Sequence, residues 1–237
     1  KLGVKKENIF VSDIAGVIYE GRTEEINEYN VKYAQKTDAR TLGDVIGGAD
    51  VFLGVSAPGV LKPEMVETMA EKPLIMALAN PTPEILPEEA KSVRPDAVIA
   101  TGRSDYPNQV NNVLCFPFLF RGALDVGATA INDEMKMACV HALAELAHVE
   151  SDETVVRAYG LQELNFGPDY LIPKPFDPRL LVELAPAVAR AAMDSGVATR
   201  PIEDFDVYRQ KLTEFVFRSG IAMKPVFERA ISSPKRV

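Results

Sequence analysis

A buried β-strand is predicted where the sequence reads Val51-Phe52-Leu53-Gly54-Val55-Ser56-Ala57 and then breaks at Pro58-Gly59. The run is apolar almost throughout rather than alternating, which is typical of a strand covered on both faces of a parallel sheet. Three further runs of the same kind occur in the first half of the chain: Asn8–Asp13, Leu74–Asn80 and Ala97–Thr101. Together the four runs predict an open parallel sheet.

Helical patterns over Thr41–Ala49 and Pro63–Ala70 alternate with these strands. Alternating strands and helices predict an α/β fold with a doubly wound, Rossmann-like sheet. Such a domain normally opens with a strand and a Gly-rich turn that holds a pyrophosphate, and no GxGxxG occurs here. We therefore expect an incomplete nucleotide-binding domain over residues 1–130, without its first strand and Gly-rich turn.

The second half is predicted to be a helical C-terminal segment, residues 131–237, that packs on the first domain. Asn132, followed by Asp133 and Glu134, is a good helix start, with a cap and two carboxylates near the positive end of the dipole. The proline-rich stretch Gly160–Asp177 is expected to be a long loop. The predicted helices are Val113–Val126, Asp133–Ala147, Pro178–Ser195 and Ile202–Ser219.

Composition limits the classes of partner. The chain has 237 residues and a formal net charge of −8, which argues against nucleic acid as a partner. No apolar run approaches the ~20 residues that span a bilayer, so we expect no membrane association and a cytoplasmic location. Cys115 and Cys139 do not form a CxxC pair, and buried reduced thiols are favoured over a disulfide or a metal site.

Three loops that follow predicted strands carry candidate ligand-binding residues. Asp13 could accept hydrogen bonds from the hydroxyls of an adenosine ribose, or it could simply cap a turn. The small residues of Gly54–Gly59 would let a cofactor approach the backbone, although small residues also end many strands for packing reasons. Asn80 would present an amide at the crevice where α/β sheets bind ligands, unless it is an ordinary turn asparagine.

A fourth loop holds four amide side chains within five residues: Asn108, Gln109, Asn111 and Asn112. One of them is expected to cap a helix, and at least one other is left to point into a pocket. Spacing alone does not decide which one does so. The two histidines, His141 and His148, are favoured as core or surface residues over a catalytic base, and no carboxylate cluster has metal-ligand spacing.

Five segments of the chain closely resemble bacterial malic enzymes, and with Phe116-Pro117 the resemblance covers essentially the whole sequence. These segments are Phe10–Arg22, Ala77–Glu84, Gly102–Asn112, Gly127–Met135 and Tyr170–Arg179. The resemblance implies oxidative decarboxylation of malate to pyruvate and CO2, with NADP or NAD and a divalent metal, Mg2+ or Mn2+. It also implies that Asn80 and Asn112 contact the substrate, with Asn80 near the nicotinamide ribose. Asp13 and the turn Val55-Ser56-Ala57 would line the adenosine side of the cofactor.

The family's catalytic tyrosine and lysine, its metal-binding acidic residues and its Gly-rich turn match no part of this chain. We therefore expect no catalytic and no metal-binding residue here, and an inactive fragment whose partner is the upstream half of the enzyme. Ser232–Val237 resembles the junction to a phosphotransacetylase-like domain in the hybrid, NADP-dependent members.

In those members NADP is the usual cofactor. Asp13 by itself favours NAD, while Arg22, Lys32 or Lys36 could offset its charge. A homo-oligomer is also expected. The alternatives left open are the nucleotide-binding domain of another hydroxy- or amino-acid dehydrogenase, and a non-catalytic dimerisation module.

Overall fold

A computed structural model describes residues 3–149 and 164–216 of the chain. Contacts divide the chain into two compact units, residues 1–110 and residues 111–237. The division into domains at residues 130 and 131 stays a prediction. No helix in the described part of the chain is both long and apolar enough to cross a bilayer.

The first unit contains a three-stranded parallel sheet in the order β3-β4-β5, which confirms the predicted Rossmann-like α/β class. The strands are β3 (Val51–Gly54), β4 (Leu74–Ala77) and β5 (Val98–Thr101). The three strands end at the same level, because their last residues are paired: Gly54 with Ala77, and Ala77 with Thr101. The carboxyl ends of all three strands therefore meet at one edge of the sheet.

Three short helices pack on one face of this sheet: α1 (Leu42–Ile46), α2 (Pro63–Glu67) and α3 (Pro87–Val93). Their buried residues join the inward-facing strand residues in one apolar core, which contains Ile46, Phe52, Val66, Ile75, Ala90 and Ile99. On the opposite face Val51 and Leu53 of β3 remain more than half exposed, at 54% and 60%. Within the described residues the sheet is thus covered on one side.

The predicted strand Asn8–Asp13 is wrong in its length and in its partner. Only β1 (Ser12–Asp13) is extended and paired there, and it pairs antiparallel with β2 (Gly16–Val17). The chain reverses at once because the Asp13 carboxylate accepts a hydrogen bond from the Ala15 N–H at 2.9 Å. Gly16 completes the turn with a φ of +96°, and a Cβ there would lie 2.0 Å from the Arg40 carbonyl oxygen.

Helix α3 is not among the predicted helices. Pro87 occupies its first turn together with Glu88 and Glu89, and the Glu89 carboxylate accepts the Leu86 N–H at 3.2 Å. A proline followed by two acidic residues is a good helix start, so the signal was present in the sequence.

The second unit is helical, as predicted. It contains α4 (Phe116–Asp125), α5 (Asp133–His148) and α6 (Arg179–Asp194), and residues 205–216 form a further helical stretch. Asn132 caps α5 by accepting the Met135 N–H at 3.0 Å, which confirms the predicted helix start. Gly196 follows α6 with a φ of +73°, as expected of a helix stop.

Helix α6 is the centre of this unit, since eight of its sixteen residues are buried. It packs closely against α4 at Gly122, where a Cβ would lie 2.5 Å from the Ala185 carbonyl oxygen. The described part of the predicted loop Gly160–Asp177, residues 164–177, contains a single bridge, between Gly167 and Tyr170. Gly220, the predicted stop of the last helix, lies outside the described residues.

Candidate functional site

The candidate site is the edge of the sheet where β3, β4 and β5 end. The residues directly after β3 are exposed, namely Val55, Ser56 and Ala57. Asn80 is also exposed and follows β4 by three residues. Ligands of open α/β sheets bind in the crevice outside the carboxyl ends of the strands. The structure thus brings the predicted β3 turn and the predicted asparagine to the edge where such a ligand binds.

A buried carboxylate, Glu84, ties the ends of β3 and β4 together. Its Oε1 accepts hydrogen bonds from the Ser56 N–H at 2.7 Å and the Ser56 hydroxyl at 3.2 Å, and its Oε2 accepts the Ala79 N–H at 3.0 Å. The side chain has no solvent exposure. Gly54 makes room for it, because a Cβ there would lie 2.5 Å from the Glu84 carboxyl carbon. Glu84 therefore fixes the shape of both turns.

Sequence reasoning gave Glu84 no role. A glutamate in a proline-rich loop is ordinarily solvent-exposed, and the spacing of 28 residues to Ser56 shows no pattern. The only signal was the glycine at the end of β3, which we had interpreted as room for a cofactor. Gly54 instead gives room to a side chain of the protein itself.

The Asn80 side chain extends from the end of β4 to the end of β5. A Cβ on Gly102 would lie 2.8 Å from the side-chain oxygen of Asn80 and 2.9 Å from its nitrogen. The amide therefore lies directly over Gly102, and this position needs a residue without a side chain. The Asn80–Pro81 peptide bond is cis. Apart from a long contact of 3.5 Å to the Leu78 carbonyl, no hydrogen bond to a described residue is found for the Asn80 amide.

The structure shows hydrogen-bond partners for three of the four amides that spacing could not separate. Asn108 is buried and donates to the Ile99 carbonyl at 2.9 Å, and Gln109 donates to the Gly102 carbonyl at 3.4 Å. Asn111 caps the 3-10 turn Asn112–Leu114 by accepting the Val113 N–H at 3.0 Å. Asn112 is exposed, and its side chain has no hydrogen bond with any residue of 3–149 or 164–216. Asn112 belongs to the second unit.

Asp13 is held by an arginine that sequence reasoning had only suggested. The Arg22 guanidinium is 2% exposed and donates to Asp13 Oδ1. It also donates to the carbonyls of Gly16, Val17 and Glu24 at 2.8, 3.0 and 2.9 Å. Both hydrogen bonds to Asp13 fall on Oδ1. Asp13 is therefore charge-compensated, and its Oδ2 has no hydrogen-bond donor among the described residues.

These features fit a nucleotide, since small exposed residues, a carboxylate oxygen and an exposed amide are what an adenosine and a ribose contact.

The same features do not indicate a site for a metal ion. Among residues 3–149 and 164–216 no group of three or more His, Cys, Asp or Glu side chains could hold an ion. His141 and His148 are exposed on α5, and the His148 ring stacks on Phe166 with centroids 3.8 Å apart. The described residues thus do not fit a metal site.

Known proteins that resemble this chain are malic enzymes. Residues 4–158 match the family profile described as "Malic enzyme, NAD binding domain". The chain is 67% identical over 237 residues to an NADP-dependent malic enzyme of Escherichia coli, covering all of this chain and 31% of that protein. It is 64% identical over 234 residues to an NAD-dependent malic enzyme of Rhizobium meliloti, covering 99% of this chain and 30% of that protein.

Solved structures give the same result. The malic enzyme of Entamoeba histolytica matches 92% of this chain and 44% of its own length, with a TM-score of 0.73 and 32% identity. That of Pyrococcus horikoshii matches 79% of this chain and 40% of its own length, with a TM-score of 0.63 and 36% identity. The chain spans less than a third of the length of the bacterial relatives named above.

Proposed function

This chain belongs to the malic enzyme family, and we propose that it forms the nucleotide-binding wall of an enzyme that oxidatively decarboxylates malate. The products are pyruvate and CO2, and NAD(P)+ is reduced. The observation that carries the proposal is the match of residues 4–158 to the family's NAD-binding domain, with the exposed Asn80 and the β3 turn at the carboxyl edge of the sheet. Malate and pyruvate are the small-molecule partners.

Each site residue has a proposed role. Val55, Ser56 and Ala57 contact the adenosine half of the cofactor, because their small or exposed side chains leave the backbone accessible. Asp13 accepts a ribose hydroxyl on Oδ2, the oxygen that Arg22 does not bind. Asn80 and Asn112 contact malate, and Asn80 also lies beside the nicotinamide ribose.

Amides suit a site that is shared by a carboxylate, a hydroxyl and a sugar. A bound nicotinamide cofactor would supply the hydride-transfer chemistry that the side chains of the protein lack. Asn80 can donate through its NH2 group and accept through its oxygen, so it can orient the C2 hydroxyl and a carboxylate together. It adds no charge that would oppose the departure of CO2, so its contribution is orientation.

NADP is the proposed cofactor, with NAD as the alternative. An unpaired carboxylate at Asp13 would repel a 2′-phosphate, but the buried Arg22 guanidinium compensates its charge. Relatives at 67% and 64% identity are named for NADP and for NAD respectively, so overall identity to this chain does not decide the preference.

The remaining chemistry is proposed to come from the rest of the enzyme. This chain contributes binding groups, while the proton-transfer groups and the ligands of Mg2+ or Mn2+ would be supplied by the upstream half. We accordingly propose that the 237 residues alone do not turn over malate.

A cytoplasmic homo-oligomer is the proposed state of the whole protein. Phe116, Phe120 and Leu124 lie on one face of α4 and are 57%, 46% and 66% exposed, an apolar stripe that supports association. Light scattering on the complete protein tests this, and a monomer at micromolar concentration would contradict it.

The activity is tested with the complete protein and with the 237-residue chain. Reduction of NADP+ and of NAD+ is followed with Mn2+ and malate, and with lactate and tartrate as control substrates. We expect malate-dependent reduction with pyruvate as product in the complete protein, and none with the chain alone. Reduction without pyruvate formation, or equal rates with lactate, would support another hydroxy-acid dehydrogenase instead.

A further inference from the structure

The two cysteines of the chain lie against each other in the second unit, with their sulfur atoms 3.1 Å apart. Cys115 stands at the junction between the 3-10 turn Asn112–Leu114 and helix α4, and Cys139 lies in the middle of α5. The sequence contains no other cysteine. The prediction of reduced thiols did not anticipate that the two would touch, because 24 residues separate them.

The two thiols are not equivalent. Cys115 is partly exposed, whereas Cys139 is 1% exposed and belongs to the apolar core of the unit. The hydrogen bond from the Cys139 thiol lowers the pKa of Cys115 to about 7, and the same bond raises the pKa of Cys139. Cys115 is thus the accessible thiolate, and Cys139 is the protonated neighbour behind it.

We propose that Cys115 and Cys139 are a redox modification site that a hydroperoxide closes to a disulfide. The Cys115 thiolate attacks one oxygen of hydrogen peroxide, the O–O bond breaks, and a proton converts the departing hydroxide to water. Cys115 is then a sulfenic acid. The Cys139 sulfur attacks the Cys115 sulfur, the S–O bond breaks, and a second water leaves with the Cys139 proton. Two thiols are oxidised and one peroxide is reduced to two waters.

Little movement is needed for this closure. The sulfurs must approach from 3.1 Å to a bond length of about 2.05 Å. The second step is faster than attack by a separate thiol, because Cys139 is already in contact with the sulfur that it attacks. The burial of Cys139 also protects its sulfur from direct oxidation by peroxide. Because this sulfur is in contact with Cys115, the disulfide forms before a second oxygen is added to Cys115.

Closure is transmitted to the turn that carries Asn112. The Cys115 N–H donates to the Asn112 carbonyl at 3.2 Å, so a shift of Cys115 towards α5 draws this turn with it. Asn112 is a proposed malate contact, and oxidation should therefore weaken malate binding. This last step rests on the proposed function, whereas the disulfide itself does not.

The disulfide is tested on the 237-residue chain with hydrogen peroxide. We expect a mass loss of about 2 Da, disappearance of both titratable thiols, and recovery of both with dithiothreitol. Cys115→Ser and Cys139→Ser are the matched controls, and neither should lose this mass. Retention of both thiols, a gain of two oxygens at Cys115, or a disulfide between two chains would overturn the proposal.

The coupling is tested on the complete protein by the KM for malate before and after peroxide. A severalfold rise that dithiothreitol reverses, and that Cys139→Ser abolishes, is expected. An unchanged KM in protein shown to contain the disulfide overturns the coupling but not the disulfide. If the reduced protein does not turn over malate, the proposed function fails and the coupling fails with it, while the mass measurement still decides the disulfide.

Discussion

In the first unit buried polar side chains hold the loops in place, whereas the second unit is held by apolar helix packing. Glu84, Arg22 and Asn108 are each at least nine-tenths buried, and each bonds to backbone groups of neighbouring turns. Around α6, by contrast, the core consists of aliphatic side chains such as Leu180, Leu184 and Val188. The difference teaches that a binding edge needs directional bonds to fix loop shape, while a packing helix needs only volume.

The largest expected effect is on the stability of the second unit. Leu184→Ala removes a fully buried side chain of α6 and should lower the free energy of unfolding by about 3–4 kcal/mol. Urea denaturation measures it. Val140→Ala, at an exposed position of α5, is the control and should change stability by less than about 0.5 kcal/mol. Equal effects of the two would contradict the assignment of the core.

The second largest effect is expected from a substitution of Glu84, one of the buried polar side chains of the first unit. Glu84→Ala leaves the N–H groups of Ser56 and of the buried Ala79 without their acceptor and should lower the free energy of unfolding by about 2–3 kcal/mol. In the complete protein it should also raise the KM for the nucleotide at least tenfold. Glu84→Gln should recover only part of both, since its NH2 group cannot accept.

Glu67→Ala is the control for this experiment, because Glu67 is an exposed glutamate at the end of α2. A loss of stability without any change in nucleotide KM would mean that Glu84 supports the sheet but not the binding edge.

A smaller effect concerns cofactor preference. Asp13→Asn removes the charge that opposes a 2′-phosphate and leaves Arg22 uncompensated, so kcat/KM for NADP+ relative to NAD+ should rise roughly fivefold, or about 1 kcal/mol. Steady-state kinetics with both cofactors measure the ratio. Asp38→Asn, at an exposed position, should leave it unchanged. A shift of this ratio towards NAD+ would contradict the proposal that Asp13 contacts the adenosine half of the cofactor.

The smallest effect is a change in reactivity with pH. Because the Cys139 thiol lowers the pKa of Cys115 to about 7, the rate of Cys115 alkylation should rise with pH through a midpoint near 7. Cys139→Ala removes the donor and should move the midpoint upward, towards the usual value of about 8.5. Iodoacetamide labelling followed by peptide mass spectrometry measures both. Identical midpoints would show that the contact between the thiols does not control the reactivity.

Much of the fold could be predicted because strands and helices leave periodic patterns. The runs at Val51–Ala57, Leu74–Asn80 and Ala97–Thr101 all contain strands, and Asn132 caps the helix that it was expected to cap. The run at Asn8–Asp13 was wrongly predicted as a long strand, because apolar composition does not reveal a turn. The turn is closed by the Asp13 side chain, which accepts a hydrogen bond from the N–H of Ala15.

The candidate site could be predicted less completely. Its position at the strand ends follows from topology, and Asn80 and Asn112 followed from the family resemblance. Glu84 could not be found, because its partners are backbone groups that only the folded chain brings together. Arg22 was suggested as a counter-charge to Asp13, but its burial and its bonds to three backbone carbonyls could not be predicted. For the same reason spacing could not separate Asn112 from Asn108, Gln109 and Asn111.

The central claim is that the carboxyl edge of the β3-β4-β5 sheet holds the adenosine half of the cofactor. It is tested most directly by photolabelling the complete protein with 8-azido-NADP+ and mapping the labelled peptides. We expect label in the peptide that contains Val55, Ser56 and Ala57, and its loss when NADP+ competes. Label confined to other parts of the protein, or label at this turn that NADP+ does not displace, would contradict the claim.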